Sequence, residues 1–160
     1  MDRYKMRRRD KKIEEDEEIQ DIIKRQNFFT ISMCKNNRPY LVTMNYAYDF
    51  ENNCFYFHCA KEGKKIDFLN QNPIIWGQIV EDRGYKEGEC DHAYRSIHFQ
   101  GNVEFIEESF EKRKALIMMI EQIDNNPEPV KEKFLSDGDC LDRVKIGRIE
   151  VQFMTGKRAD

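Results

Sequence analysis

Lys64 and Lys65 stand side by side directly after Gly63, where an aromatic run, Cys54-Phe55-Tyr56-Phe57-His58-Cys59, gives way through Ala60 to the helical spacing of Ile66 and Leu69. The chemistry this pattern suits is anion capture. Backbone N–H groups in the first turn of a helix have no intrahelical acceptor, the helix dipole favours negative charge there, and each lysine adds a point charge. An aromatic strand leading into such a corner can lie against a flat ring, so the stretch reads as a pocket for a phosphorylated aromatic cofactor. The same pattern also occurs on merely solvated helix starts. His58 is the second chemical residue. A neutral imidazole can pass a proton or orient a substrate; the alternative is a histidine satisfied by hydrogen bonds inside the fold.

The elements that must hold these residues follow from periodicity. A charged helix is expected from Asp10 to about Arg25, with Ile13, Ile19, Ile22 and Ile23 as its apolar stripe. Asn27 to Cys34 and Tyr40 to Tyr48 read as strands that form an antiparallel meander with Cys54 to Cys59. A short helix from Lys64 to Asn70 stops before Pro73, and Ile74 to Val80, with Trp76 as a core aromatic, is the next strand. Glu81 to Asp91 reads as a loop, Ala93 to Glu107 as a long strand bulged near Gly101, and Ser109 as the cap of a helix running to Ile123. The apolar face of that helix is assigned to the core. A helical piece from Val130 to Leu135 precedes the last strand, Cys140 to Met154, and Lys157 follows as a tail. Strands first, with helices inserted late, predict an α+β domain built on an antiparallel barrel with no free edge.

Composition narrows the function classes. A chain of 160 residues fits one domain, 1–160, with a basic N-terminal arm over 1–12. The net charge of −3 supplies no general basic field for nucleic acid. No apolar run nears the roughly 20 residues a membrane helix needs, and no signal-peptide core follows the basic start, so a cytoplasmic location is expected. The five cysteines, Cys34, Cys54, Cys59, Cys90 and Cys140, are odd in number and without close pairing, which fits reduced thiols. No C-x-x-C is present and Cys90-Asp91-His92 lacks a second cluster, so no metal site is expected.

In order and spacing, Met6-Arg7-Arg8, the run Arg38-Pro39-Tyr40-Leu41-Val42-Thr43-Met44-Asn45-Tyr46, Tyr56-Phe57-His58-Cys59-Ala60, Gly63-Lys64-Lys65, Tyr94-Arg95-Ser96-Ile97, Glu111-Lys112 with Ala115-Leu116, and Thr155-Gly156-Lys157 resemble the FMN-binding split β-barrel family related to pyridoxamine 5'-phosphate oxidase, and within it the nitroimidazole-resistance group. The resemblance covers nearly the whole chain. It implies a homodimer with FMN at the subunit interface. Lys64 and Lys65 would hold the phosphate with help from Arg95 or Ser96; Val42, Thr43, Met44 and Asn45 would line the isoalloxazine; Phe57, His58, Cys59 and Ala60 would run along ring and ribityl chain. Lys157 would reach the flavin across the dimer, and His58 would stand at the reaction centre. The chain departs from the family at Asn27 to Met33, where a Gly-x-Leu-Ala-type strand is usual, and at Cys59, where serine or glycine is frequent.

The function implied is an FMN-dependent oxidoreductase that reduces a small organic acceptor such as a nitro compound or quinone. No G-x-G-x-x-G fingerprint is present, so NAD(P)H would bind transiently in the same pocket. A non-catalytic flavin or haem binder, acting in storage or sensing, is the competing expectation. Pyridoxamine-phosphate oxidation itself is disfavoured by the missing Arg-Leu-x-Pro ending.

Overall fold

A computed structural model describes residues 6–136 and 139–160, with the side chains of 139 and 140 excepted. A 3-10 turn at Arg9–Lys11 leads into β1 (Lys12–Ile13), α1 (Asp16–Arg25), β2 (Phe28–Lys35), β3 (Arg38–Asn45), β4 (Ala47–Asp49), β5 (Cys54–Cys59), α2 (Lys64–Gln71), β6 (Ile74–Lys86), β7 (Asp91–Ile106), α3 (Ser109–Ile123), α4 (Pro127–Leu135), α5 (Asp139–Arg143) and β8 (Lys145–Ala159). The strands form one antiparallel sheet ordered β3-β2-β6-β7-β8-β5-β4, with β1 paired to β8. This is the split β-barrel, with flanking helices, of an α+β fold.

The expected meander forms only in part: the stretch Tyr40 to Tyr48 pairs antiparallel with β2 at one end and with β5 at the other, but as two separate strands. β3 and β4 are successive pieces of one extended stretch, broken at Tyr46, and they pair at opposite ends of the sheet: β3 with β2, β4 with β5. The break has a cause. Tyr46 turns fully inward, its ring edge-on to Phe29 and Phe55, and its hydroxyl donates to the Ile23 carbonyl at 2.8 Å. One buried residue thus joins both ends of the sheet while leaving β3 and β5 unpaired. The barrel is split there and keeps an edge at β3, contrary to the edgeless barrel expected.

Packing explains the interior. Phe29, Phe55 and Phe99 stack, with Phe55 and Phe99 at 4.4 Å. Two glycines lie directly opposite large rings: Gly77 pairs with Phe99 and Gly147 with Phe57, and a Cβ on either would fall inside the facing ring. Aromatic side chains over cross-strand glycines fill the barrel without widening it.

Further expectations are corrected. The 81–91 segment is no loop: β6 continues to Lys86 and pairs with β7 through an irregular register between Asp82 and Tyr85. The N-terminal helix begins only at Asp16, because Ile13 is drawn into the core opposite Gly156. Glu108, not Ser109, caps α3, its carboxylate accepting from the N–H groups of Phe110 and Glu111 at 3.0 and 2.7 Å. The stretch before Lys145 is helical, and β8 runs through Lys157, so the C-terminal residues are strand. The bulge expected near Gly101 is present at Gln100/Gly101.

Of the basic arm, 1–5 lie outside the described residues; Arg8 pairs with Asp10 at 2.6 Å.

Candidate functional site

α2 starts beside the unpaired gap between β3 and β5, with Lys65 reaching Met44 of β3 on one side and Phe57 of β5 on the other. Gly63, at φ +128°, supplies a backbone angle that L side chains rarely adopt and turns the chain so that its carbonyl accepts the first helical bond, from Asp67 N–H at 3.1 Å. No side chain caps this helix, so its first-turn N–H groups are offered outward. Ile66 and Leu69 are buried and anchor the helix against β2, while Phe68 packs on Tyr40 at 5.3 Å.

The two lysines at this start are placed differently. Lys64 is exposed, with its ammonium 4.1 Å from the Tyr40 ring centre. Lys65 is half-buried, its ammonium 2.7 Å from Met44 Sδ and 5.7 Å from the Phe57 ring centre. Among the described residues neither lysine meets a carboxylate in an ion pair, although most other buried or half-buried cations do. Burial pushes the Lys65 pKa down, with the Cys59 thiol acting in the opposite sense. A thioether is a weak acceptor, so Lys65 is a partly desolvated cation without a proper partner, which is the electrostatic condition an anion relieves.

His58 and Cys59 end β5 beside this corner. The His58 ring is exposed and makes no hydrogen bond among the described residues, yet enough chain surrounds it that burial, with Lys65, lowers its pKa and keeps it neutral at pH 7. Burial raises the Cys59 thiol pKa, partly offset by Lys65 and Lys145. The thiol therefore stays protonated. Phe57 is 0% exposed and belongs to the core, so it offers a ligand no ring face.

The site residues expected from sequence fall into separate groups. Met44, Asn45, His58, Cys59, Lys64 and Lys65 surround the gap. On β3, Val42 and Met44 point toward the core while Thr43 and Asn45 face outward; Thr43 shares a hydrogen bond with Thr30 at 2.8 Å, and Asn45 Nδ2 donates to the Asn27 carbonyl at 3.0 Å. Ala60 is exposed between β5 and Gly63. Arg95, Ser96 and Lys157 lie on β7 and β8, away from the gap. Arg95 is enclosed by carboxylates, at 2.5 Å from Glu81, 2.9 Å from Asp21 and 3.8 Å from Glu18, on the opposite sheet face from Ser96 and its register partner Lys157. The Arg95 pKa is raised, most by the Glu81 hydrogen bond, against the lowering by burial. Lys157 rests 5.6 Å from the Tyr94 ring centre.

Two features escaped sequence reasoning. The outward face of the sheet carries Leu41, Ile74, Trp76 and Val80, all exposed, with Trp76 at 47% and edge-on to Phe153 at 6.2 Å. Trp76 is therefore not a core aromatic; the strict alternation of β6, with Ile75, Gly77 and Ile79 inward, was the available signal. Secondly, a cavity of about 580 Å³ opens beside Asn45 and His58, walled by the apolar face of α3 that sequence assigned to the core. Only Ala115 and Met119 of that helix are buried.

Several known proteins share this architecture. A candidate 5-nitroimidazole antibiotic resistance protein from Bacteroides thetaiotaomicron is 28% identical, with TM-score 0.76, over 93% of this chain and 89% of that one. The FAD and heme binding protein from Mycobacterium smegmatis gives TM-score 0.78 at 14% identity over 94% and 74% of the two chains. The flavocytochrome Anf3 from Azotobacter vinelandii gives 0.80 at 12% identity over 98% and 73%. No curated protein matches the chain. The family model described as pyridoxamine 5'-phosphate oxidase matches residues 15–158, and the chain belongs to that family.

Proposed function

We propose that this chain is a flavin-dependent oxidoreductase that binds FMN as a homodimer and reduces a small organic acceptor, a nitro compound or quinone. The observation that carries the reading is the lysine pair at the uncapped start of α2: Lys65 is half-buried without a carboxylate, beside Lys64 and free first-turn N–H groups. A terminal phosphate satisfies all of these at once. The names of the structural neighbours, which include flavin binders and a flavocytochrome, support the same ligand class.

Bound flavin supplies hydride and single-electron transfer. The chain's own residues hold, shield and orient. Lys64 and Lys65 neutralise the phosphate; Asn45, its amide nitrogen held by the Asn27 carbonyl, offers its amide oxygen as an acceptor; His58, neutral and without a hydrogen-bond partner among the described residues, orients the acceptor and passes its proton. Arg95, Ser96 and Lys157 lie too far round the barrel to join them within one chain, so any part they play comes through a second subunit. The exposed apolar face around Trp76 and Leu41 suits that dimer contact.

Haem ligation by His58 is the second reading, favoured by its exposed imidazole and by the heme-binding neighbour. Anaerobic oxidation of NADH or NADPH by the FMN-loaded protein, followed with nitroaromatic and quinone acceptors, tests the first. Turnover that disappears in His58→Ala is the expected result, whereas bound cofactor without turnover for any acceptor would leave a binding protein.

A further inference from the structure

The cavity of about 580 Å³ next to His58 is not accounted for by phosphate capture, and its size lies within the range of small-molecule sites. One wall is the Asn45 and His58 edge of the barrel; the others come from α3, α4 and the α5–β8 junction. Met119, Ile120 and Leu116 line it from α3, and Phe134 from α4. Ile123 and Phe134 are left 42% and 55% exposed around it, so the apolar walls are open to an occupant rather than closed on one another.

Its polar groups are unequal in sign. Lys133 and Arg143 both line the cavity and form no ion pair among the described residues; the Lys133 ammonium sits 5.1 Å from the Phe134 ring centre. The one acid in the wall, Asp124, has an oxygen accepting from Asn126 N–H at 2.9 Å. Apolar walls with an excess of unpaired positive charge match an apolar body that carries one negative group.

We infer that this cavity binds a small organic monoanion with an aromatic or branched aliphatic body, such as an aromatic carboxylate, in contact with Met119 and Ile120 and with its charge toward Lys133 and Arg143. Neither Lys64 nor Lys65 lines this cavity, which shares Asn45 and His58 with the site of the proposed function.

Isothermal titration of the purified protein, with and without added FMN, tests this using 2-naphthoate and the neutral 2-naphthalenemethanol as probes. One equivalent of 2-naphthoate per chain is expected, with the neutral probe about fivefold weaker, as two partly exposed charge contacts supply. The double variant Lys133→Gln/Arg143→Gln should erase the difference between the probes, and Ile120→Trp, checked for wild-type circular dichroism, should abolish both. Equal affinity of the two probes for the wild-type protein overturns the inference, as does undiminished 2-naphthoate binding by Ile120→Trp. If FMN uptake fails while 2-naphthoate binds as described, the flavin reading falls and this one stands.

Discussion

The ammonium of Lys65 lies 2.7 Å from the sulfur of Met44, across the gap that separates β3 from β5. Sulfur occupies a position where a carboxylate would make a strong ion pair, and the lysine is thereby kept available. Replacing Met44→Glu should supply the missing partner. FMN affinity, measured by quenching of flavin fluorescence, should fall about tenfold or more as the new carboxylate competes with phosphate. Unchanged affinity would mean that Lys65 does not hold the ligand.

Gly147 faces the Phe57 ring with no room for a Cβ, and Phe57 is fixed inside the barrel. Gly147→Ala should therefore cost about 3 kcal/mol or prevent folding. Gly63→Ala meets no neighbour but must adopt φ +128°, so it should cost about 1–3 kcal/mol of stability and, by disturbing the start of α2, lower FMN affinity as well. Urea unfolding and flavin titration of the two variants separate these effects.

Asp49 is buried and accepts from Lys114 Nζ at 2.5 Å, from Asn52 Nδ2 at 2.8 Å, and from the N–H groups of Glu51 and Asn52. Burial raises its pKa, but the Lys114 and Asn52 hydrogen bonds prevail and hold it at about 2, against an ordinary 3.8. Its folded pKa is depressed, so the stability it contributes is present above pH 3.8 and is lost as pH falls toward 2. Asp49→Asn should cost about 2 kcal/mol at pH 7, discounted because Lys114 is partly solvated. Its difference from wild type should shrink across that acid window.

Burial, aided by Lys65 and Lys157 respectively, lowers the pKa of His58 and His98 below the ordinary 6.5. The unfolded chain then binds protons that the folded chain refuses, so stability falls as pH drops below 6.5. Thermal melts between pH 7 and 5 should show this slope, and His58→Gln with His98→Gln should flatten it.

Trp76 and Leu41 stand on the uncovered face of the sheet. Trp76→Glu with Leu41→Lys should convert the proposed homodimer to a monomer in sedimentation velocity, with the circular dichroism of the fold retained.

How far the sequence revealed this can be traced through particular residues. β5, α2 and the lysines were legible because the period changes at Gly63, and because helix starts carry local signals. The split was not. Nothing in the Tyr40 to Tyr48 run marks Tyr46 as the break, since its cause is a hydrogen bond to Ile23, 23 positions away. Likewise, Arg95 reads as a free cation in sequence, and only the fold brings Asp21 and Glu81 to it. The α3 face read as core because periodicity reports apolarity, not what covers it; here much of it borders a cavity.

The most direct measurement is the absorption spectrum and FMN titration of the purified protein beside the variant Lys64→Ala/Lys65→Ala. The account predicts a flavin spectrum near one FMN per chain for the wild type and at least about a hundredfold weaker binding for the variant, from two lost charge-assisted contacts. Equal FMN binding by both proteins, or none by the wild type, would contradict it.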